Sequence, residues 1–311
     1  MLPITQTMAE RQIRAECGSK SASSRPAWPG WIVVLVLPAA VFALRSRLAS
    51  WSLMWALALA IFLGCKWQTW WEERRISRPP LGRTLAYLLA WPGMDAKTFL
   101  DLARAAVRPK PKEWIWAMGK TACGCAVLWG AVRRAPGNGL VAGWIGMMGI
   151  ILILHFGMFH ILSLAWRSLG FDARAIMQAP LSAKSLGDFW GRRWNLGFRQ
   201  LTHELIFEPM RARGGAALAL LLAFLASGVI HDLVISIPAR GGYGLPTLYF
   251  LLQGWGVLFE RSAFGKKLGL GSGVRGWAFA MTCASIPAII LFHPPFVFRV
   301  ILPFLHVVGA R

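Results

Sequence analysis

A histidine and an aspartate stand side by side within a long apolar stretch of this chain. Residues 215–237 read GAALALLLAFLASGVIHDLVISI, and the pair is His231-Asp232. Ionisable side chains are costly inside a membrane helix, so such a pair is by default a candidate functional site. An imidazole titrates near neutral pH and can take a proton from an alcohol, which makes His231 a candidate general base. Two alternatives remain open: a histidine that only hydrogen-bonds neighbouring helices, and a proton or ion site of a transporter.

The neighbours of His231 along the chain suggest how its ring is held. Ser227 lies one turn earlier on the same helix face, and we expect it to orient the ring. Asp232 points about 100° away around the helix, so it is not a simple triad partner. We expect Asp232 to bond a neighbouring helix or to set the local charge. A second histidine–acid pair, His203-Glu204, is predicted to be a solvated surface pair.

A second stretch, SLGDFWGRRWNLGFRQ at residues 185–200, is polar and lies between two apolar runs. Ser185 and Asp188 match a capping box, which predicts a helix that begins near Leu186. Asp188 is then expected to pair with Arg192, four residues later. On one continuous helix, a single polar stripe would contain Asp188, Arg192, Asn195 and Arg199. The residue types alone favour an amphipathic helix in the membrane interface, with its arginines on lipid phosphates, over an active-site segment.

The composition assigns both stretches to a membrane protein. Of the 311 residues, 56% are hydrophobic and 17 are tryptophan, which is more apolar surface than a soluble chain of this length can bury. The formal net charge is +21, which in a soluble protein would suggest nucleic-acid binding. Here the basic residues lie between apolar runs, so topology and anionic lipids explain them and no nucleic acid is expected. The five cysteines form no metal-binding or disulfide pattern, and we expect no metal and no cofactor.

The hydrophobic pattern predicts an all-α polytopic membrane protein of about eight transmembrane helices. The apolar segments lie at 27–44, 50–67, 113–131, 139–165, 215–237, 244–260, 274–293 and 295–309. Segment 84–92 is expected to be interfacial or re-entrant, and Lys120 falls inside 113–131. The N-terminal tail contains four Lys and Arg residues, and every second connection after it contains nine, eight and four. The other connections contain two, two, one and none. This alternation predicts cytosolic termini, with 1–26 a cytosolic tail and 27–311 one transmembrane domain.

Together the two stretches resemble a known family. The motif D-F-W-G-R-R-W-N, followed about 35 residues later by S-G-x-x-H and an acid in a hydrophobic span, resembles the wax synthase branch of the membrane-bound O-acyltransferases. The likeness covers about 155–240. It implies that His231 is the general base and that Asn195 is the second active-site residue, with Ser227, Asp232 and Asp188 in support. Asp232 stands where the family usually has glutamate.

The resemblance also implies a fold and an activity. It implies a helical bundle around an intramembrane chamber, in which a fatty acyl group passes from acyl-CoA, a co-substrate, to a lipid alcohol acceptor. A long-chain fatty alcohol is the first choice, and sterol, diacylglycerol and glycan acceptors are alternatives. The side chains expected at the acyl-CoA entrance are Trp190, Arg192, Arg193, Trp194 and Arg199, with Lys184 beside them. The membrane would be a bacterial inner membrane or the endoplasmic reticulum, and the sequence does not indicate an oligomeric state.

Overall fold

The computed structural model describes residues 28–104, 106–135 and 137–311, and the predicted tail at 1–26 lies outside them. Within the described ranges the regular structure is helical, without a strand. The chain is an all-helical polytopic membrane protein, as the hydrophobic pattern predicted. The helices are α1 (Trp28–Ala43), α2 (Ser50–Ser77), α3 (Leu81–Ala90), α4 (Ala96–Leu100), α5 (Pro111–Arg134), α6 (Gly139–Ser168), α7 (Leu186–Asp188, continued by a π turn at Phe189–Arg193), α8 (Leu196–Ala239), α9 (Leu245–Arg261), α10 (Ala263–Lys267), α11 (Gly273–Leu291) and α12 (Pro294–Val307).

Of the helices in the described ranges, five are long and apolar enough to cross a membrane, namely α2, α5, α6, α8 and α11. Each overlaps one predicted span, although α8 begins well before its predicted span at 215–237. The other three predicted spans correspond to the shorter helices α1, α9 and α12, so the number eight stays a prediction. Lys120, which lies in the middle of α5, has a polar partner, because its Nζ lies 3.1 Å from His160 Nδ1 on α6. The amino group of Lys120 therefore has a hydrogen-bond partner within the bundle.

Helix α3 is too short to span. Its 10 residues rise about 15 Å, half of a hydrocarbon core of about 30 Å. It buries Thr84 and Tyr87, whereas Leu81 and Leu89 are 73% and 76% exposed. This one-sided helix agrees with the interfacial character predicted for 84–92.

Helix α8 is the longest element and is bent. A straight helix of its 44 residues would extend about 66 Å, roughly twice the hydrocarbon thickness. At Gly215 the backbone has φ 80° and ψ 169°, a conformation that only glycine adopts readily. We call residues 196–214 the first arm and residues 216–239 the second arm.

Helix α9 packs closely against the second arm and also supports α7. A Cβ at Gly228 of the second arm would lie 2.6 Å from the Thr247 Cα of α9, so only glycine permits this approach. Phe224 of the second arm and Phe250 of α9 belong to the main hydrophobic core, which includes the fully buried Leu186 of α7. Helix α7 and the second arm of α8, which carry the two sequence motifs, thus both pack against α9.

Candidate active site

His231 is held by a backbone carbonyl of its own helix. Its Nδ1 lies 2.7 Å from the Ser227 carbonyl oxygen. A carbonyl oxygen only accepts hydrogen bonds, so in the neutral ring Nδ1 carries the hydrogen and Nε2 presents its lone pair. The centroid of the His231 ring is 4.4 Å from that of Phe250 on α9. These contacts fix the ring and its tautomer and leave Nε2 as the basic nitrogen.

The side chains of Ser227 and Asp232 form their hydrogen bonds with helical segments and not with the ring of His231. The Ser227 hydroxyl donates to a main-chain carbonyl of the preceding turn, so Ser227 reaches His231 through its own carbonyl only. The Asp232 carboxylate accepts hydrogen bonds from the N–H groups of Gly244 and Thr247, at 2.8 and 3.0 Å, and from the Thr247 hydroxyl. Because these N–H groups open α9, Asp232 caps that helix. Asp232 thus bonds a neighbouring helix, the first of the two expectations for it.

Asn195 lies at a break between two helices. Trp194 is extended, with φ −96° and ψ 126°. Asn195 is left-handed, with φ 41° and ψ 61°, a region that asparagine tolerates better than most residues with a side chain. Its side-chain oxygen accepts a hydrogen bond from the Phe198 N–H at 3.3 Å and so caps α8. The prediction of one continuous helix over 185–200, with a single polar stripe, is therefore wrong.

The turn within α7 replaces the predicted ion pair by another. The helix begins at Leu186 as predicted, and the Ser185 hydroxyl oxygen accepts from the Asp188 N–H at 3.0 Å. A π turn follows, which brings residues five apart together. Asp188 Oδ2 therefore lies 2.7 Å from Arg193 Nε. The predicted pair with Arg192 is wrong, and Arg192 is exposed.

The Asp188 carboxylate is firmly held in its charged form. Burial raises its pKa, but hydrogen bonds from the Arg193 guanidinium and the Lys184 N–H outweigh that effect. The nearby charges of Arg193 and Arg192 act in the same direction as these bonds, so the pKa lies below the ordinary aspartate value. Arg193 also donates to the Ser182 hydroxyl at 2.7 Å. Arg193 therefore stabilises the turn and is not free for a ligand.

A cavity of about 350 Å³ lies between α7, α9 and the two arms of α8, and its wall includes both His231 and Asn195. The exposed Arg199 and Arg261 line the same cavity, which gives it a basic mouth. Much of the remaining wall is aromatic, formed by Trp190, Trp194, Phe198, Phe207, Phe224 and Phe250. A candidate base, an amide and two cations thus share one largely apolar space.

The structure brings only some of the predicted site residues to this cavity. Those that line it are His231, Asn195, Ser227, Trp190, Trp194 and Arg199. The wall does not include Asp232, Asp188, Lys184, Arg192 and Arg193. Of the arginines predicted for the acyl-CoA entrance, only Arg199 lines the cavity, because the π turn directs Arg193 to Asp188 and leaves Arg192 in solvent.

Two ionisable residues of the cavity wall, Arg261 and His203, were not predicted to lie there. Arg261 directly follows the predicted span 244–260, and no motif marks it. The predicted solvated pair His203-Glu204 is wrong, because His203 lines the cavity and its acidic partner is Glu208, with Nε2 and Oε1 3.3 Å apart. His203 lies one turn after Arg199 on the first arm, a helical spacing that would have indicated a shared face.

A buried amide on α9 fixes part of the aromatic wall. The Gln253 Oε1 accepts a hydrogen bond from the Trp190 indole N–H at 3.2 Å, and the Gln253 Nε2 donates to the Cys283 carbonyl at 2.8 Å. Gln253 is 1% exposed. It connects the wall of the cavity to α11 through a residue that carries no sequence motif.

The segment that builds this site is similar to known enzymes. Residues 173–252 match the membrane bound O-acyl transferase family. The chain is 30% identical over 142 residues to probable long-chain-alcohol O-fatty-acyltransferase 7 of Arabidopsis thaliana, covering 40% of this chain and 41% of that protein. It is 36% identical over 77 residues to the long-chain-alcohol O-fatty-acyltransferase of Simmondsia chinensis, covering 22% of each. It is 31% identical over 111 residues to diacylglycerol O-acyltransferase 1 of Arabidopsis thaliana, covering 35% of this chain and 20% of that protein.

The family match contains both Asn195 and His231. The chain spans about two fifths of the length of the first of these relatives and about a fifth of the other two. The resemblance to the wax-synthase-like branch, predicted from the two motifs, is confirmed.

Proposed function

We propose that this chain, a relative of the wax-synthase-like membrane-bound O-acyltransferases, transfers a fatty acyl group from acyl-CoA to a long-chain alcohol. The observation that carries the proposal is the meeting of His231 and Asn195 in one cavity, with the Nδ1 of His231 engaged and its Nε2 left as the base. Acyl transfer needs a proton acceptor for the nucleophile and a hydrogen-bond donor for the developing oxyanion. The cavity offers both.

His231 acts as the general base in this proposal. The alcohol oxygen attacks the thioester carbonyl carbon while Nε2 takes the hydroxyl proton. The tetrahedral intermediate then collapses and the C–S bond breaks. The proton passes from Nε2 to the departing thiolate, which leaves an ester, free CoA and a neutral imidazole. These steps need no covalent acyl-enzyme.

Asn195 contributes its amide NH₂ group. Its side-chain oxygen is engaged with the Phe198 N–H, and within the described part of the chain the NH₂ donates to no other group. A free donor in the cavity wall suits the oxyanion of the intermediate or the acceptor hydroxyl oxygen. Asn195 has no basic atom, so proton transfer remains with His231.

The mouth of the cavity suits the phosphates of CoA. Arg199 and Arg261 present guanidinium groups, which bind phosphate through charge-assisted and often bidentate hydrogen bonds. From Leu220 to His231, both in the cavity wall, the second arm rises about 16 Å. An extended pantetheine arm along this apolar face would carry the thioester from the mouth to Nε2.

The proposal includes an orientation in the membrane. Arg199 and Arg261 lie in two of the basic connections, 166–213 and 261–275, that the charge pattern assigns to the cytosol. The mouth would then face the compartment that holds acyl-CoA, and both termini would lie on that side. The membrane would be a bacterial inner membrane or the endoplasmic reticulum.

A diacylglycerol acceptor is the second candidate. The similarity to diacylglycerol O-acyltransferase 1 of Arabidopsis thaliana favours it. The chemistry at His231 would be unchanged, because this acceptor also presents a hydroxyl group. The two candidates differ in the bulk of the acceptor that must reach Nε2.

Isolated membranes that contain the chain provide the test. Labelled acyl-CoA is supplied with fatty alcohols, a sterol or diacylglycerol, and the labelled esters are identified. We expect wax esters with the fatty alcohols. Label chiefly in triacylglycerol would favour the second candidate. No ester with any acceptor, from folded protein, would contradict the acyltransferase and favour the transport alternative.

A further inference from the structure

The start of α7 is tied to α9 by a buried carboxylate that the proposed chemistry does not use. Glu260 is 5% exposed. Its Oε2 accepts a hydrogen bond from the Leu186 N–H at 2.5 Å, and its Oε1 lies 3.3 Å from the Gly187 nitrogen. Glu260 forms no ion pair with any residue in the described ranges. Its charge is therefore satisfied by main-chain donors of α7.

The fit around this carboxylate is close. Leu186 is fully buried, and a Cβ at Gly256 would collide with its side chain. A Cβ at Gly187 would come within 3.1 Å of Glu260 Oε1. Gly256 and Glu260 are one turn apart on α9 and so form one seat for the start of α7. A buried carboxylate is costly unless its oxygens are hydrogen-bonded, and here both oxygens face adjacent N–H groups.

Helix α9 is the common support of both candidate active-site residues. The chain runs from Leu186 through the short helix α7 and its π turn to Asn195. On the same helix as Glu260, Phe250 packs on the ring of His231. A shift of α7 along α9 would therefore move Asn195 relative to His231.

We propose that Glu260 is a positioning residue for acyl transfer. By binding the first two N–H groups of α7, it sets the distance between the Asn195 amide and the Nε2 of His231. This role rests on the proposed function and adds to it a residue outside both sequence motifs.

Steady-state kinetics of Glu260→Gln test the role. The amide keeps the size of the side chain and one acceptor, but it turns an NH₂ group toward one of the two main-chain donors. We expect kcat to fall at least about tenfold, because small misplacements of a catalytic group are costly, while the KM for acyl-CoA stays within about twofold. The matched control is Glu204→Gln, an exposed glutamate outside the cavity wall, which should keep the wild-type kcat.

A double variant distinguishes positioning from a general loss of structure. If Glu260 acts through Asn195, adding Glu260→Gln to Asn195→Ala lowers kcat no further. A merely structural role predicts less folded protein with an unchanged kcat per folded enzyme. Gly256→Ala, which disturbs the same seat more mildly, should show a smaller kcat loss in the same direction.

Trypsin cleavage of the intact membrane protein gives a readout that needs no activity. Lys184 precedes α7, Arg192 lies in its π turn, and both are exposed. We expect faster cleavage after them in Glu260→Gln, because α7 loosens, with unchanged cleavage after Arg211.

The possible failures are distinguishable. An active wild type together with a Glu260→Gln variant of unchanged kcat would overturn the positioning role alone, and so would additive losses in the double variant. A wild type that forms no ester with any acceptor would instead overturn the proposed function, and the positioning role with it.

Discussion

The two candidate active-site residues lie on very different backbones. His231 stands in a helical turn, and one carbonyl of the preceding turn fixes its ring. Asn195 stands at a helix break with φ 41°, and its side chain both caps α8 and faces the cavity. The direction of the His231 ring follows from its own helix, whereas the backbone at Asn195 is also held by an earlier segment, because the Asn195 nitrogen lies 3.2 Å from the Met177 sulfur and the Leu196 N–H donates to the Ile176 carbonyl. We therefore expect substitutions at His231 to change activity alone, and substitutions that remove the capping oxygen of Asn195 to change activity and stability together.

Replacement of His231 by alanine should have the largest effect. General-base catalysis contributes about 10²- to 10⁴-fold, so kcat should fall by that range, and alanine should leave the helix intact. Acyl transfer by equal amounts of folded protein in membranes measures the loss. The control is His306→Ala at the exposed end of α12, with wild-type activity expected. Activity of His231→Ala within a few-fold of wild type would end the general-base proposal.

Two substitutions at Asn195 separate its two roles. Asn195→Asp keeps an oxygen to cap α8 and tolerates the left-handed backbone, but it lacks the NH₂ donor. Its kcat should fall about 100-fold, the usual cost of losing an oxyanion donor, with a nearly unchanged melting temperature. Asn195→Ala should lose the same activity and also about 1 kcal/mol of unfolding free energy. Wild-type activity in Asn195→Asp would show that the side chain only caps the helix.

The arginines of the mouth should act on binding more than on the chemical step. Arg261→Ala should raise the KM for acyl-CoA about three- to tenfold and change kcat little, because exposed phosphate contacts are screened by solvent. The increase should shrink at high ionic strength. Arg192→Ala, at an exposed arginine outside the cavity wall, is the matched control and should leave KM unchanged. Equal effects of the two variants would argue for nonspecific attraction of CoA.

Asp232→Asn should show that the neighbour of the base works through α9. The amide cannot accept from all the donors that face Asp232, so the unfolding free energy should fall by about 1–2 kcal/mol. A several-fold loss of kcat should accompany it, because Phe250 on α9 contacts the ring of His231. Thermal unfolding and kinetics of the same preparation measure both. A loss of kcat as large as that of His231→Ala, with unchanged stability, would contradict this indirect role.

The smallest expected effect concerns the pair that holds α7. The pKa of Asp188 is lowered in the folded protein, since its bonds to the Arg193 guanidinium and the Lys184 N–H outweigh burial. The stabilisation is therefore present above the ordinary aspartate pKa and is lost as pH falls through the lowered value. The difference in melting temperature between wild type and Asp188→Asn should be constant from pH 8 to pH 5 and should shrink only below about pH 4. A difference that already shrinks near pH 6 would contradict it.

The helical layout could be predicted where hydrophobic runs are long and regular. The run 215–237 lies within α8, and Ser227 stands one turn before His231 because the helix keeps its period there. The turn at Asn195 could not be predicted in this way. It combines a π turn with a left-handed residue, and such a local conformation persists only when contacts distant in the sequence over-determine it.

There is a second physical reason why the residues of the cavity wall could not all be predicted from the sequence. Arg261 reaches the cavity through the packing of α9 against α8, and neither residue type nor local spacing fixes that packing. The spacing of His203 from Arg199 indicates a shared helix face but not which helix that face meets. The arginine pair of the motif shows the converse. Arg192 and Arg193 are adjacent and chemically alike, but the π turn gives one an aspartate partner and leaves the other in solvent.

Gly215 affects how the length of this chain can vary. Each residue added to an α-helix turns everything after it by about 100°. The φ of 80° at Gly215 interrupts the helical path, so the two arms present their cavity faces in independent phase. An insertion beside Gly215, where residues 211–218 are exposed, would be absorbed by the bend. An insertion between Leu220 and His231 would rotate the histidine out of the cavity. The chain between the two motifs should therefore tolerate a change of length at Gly215, but not in the helix between Gly215 and His231.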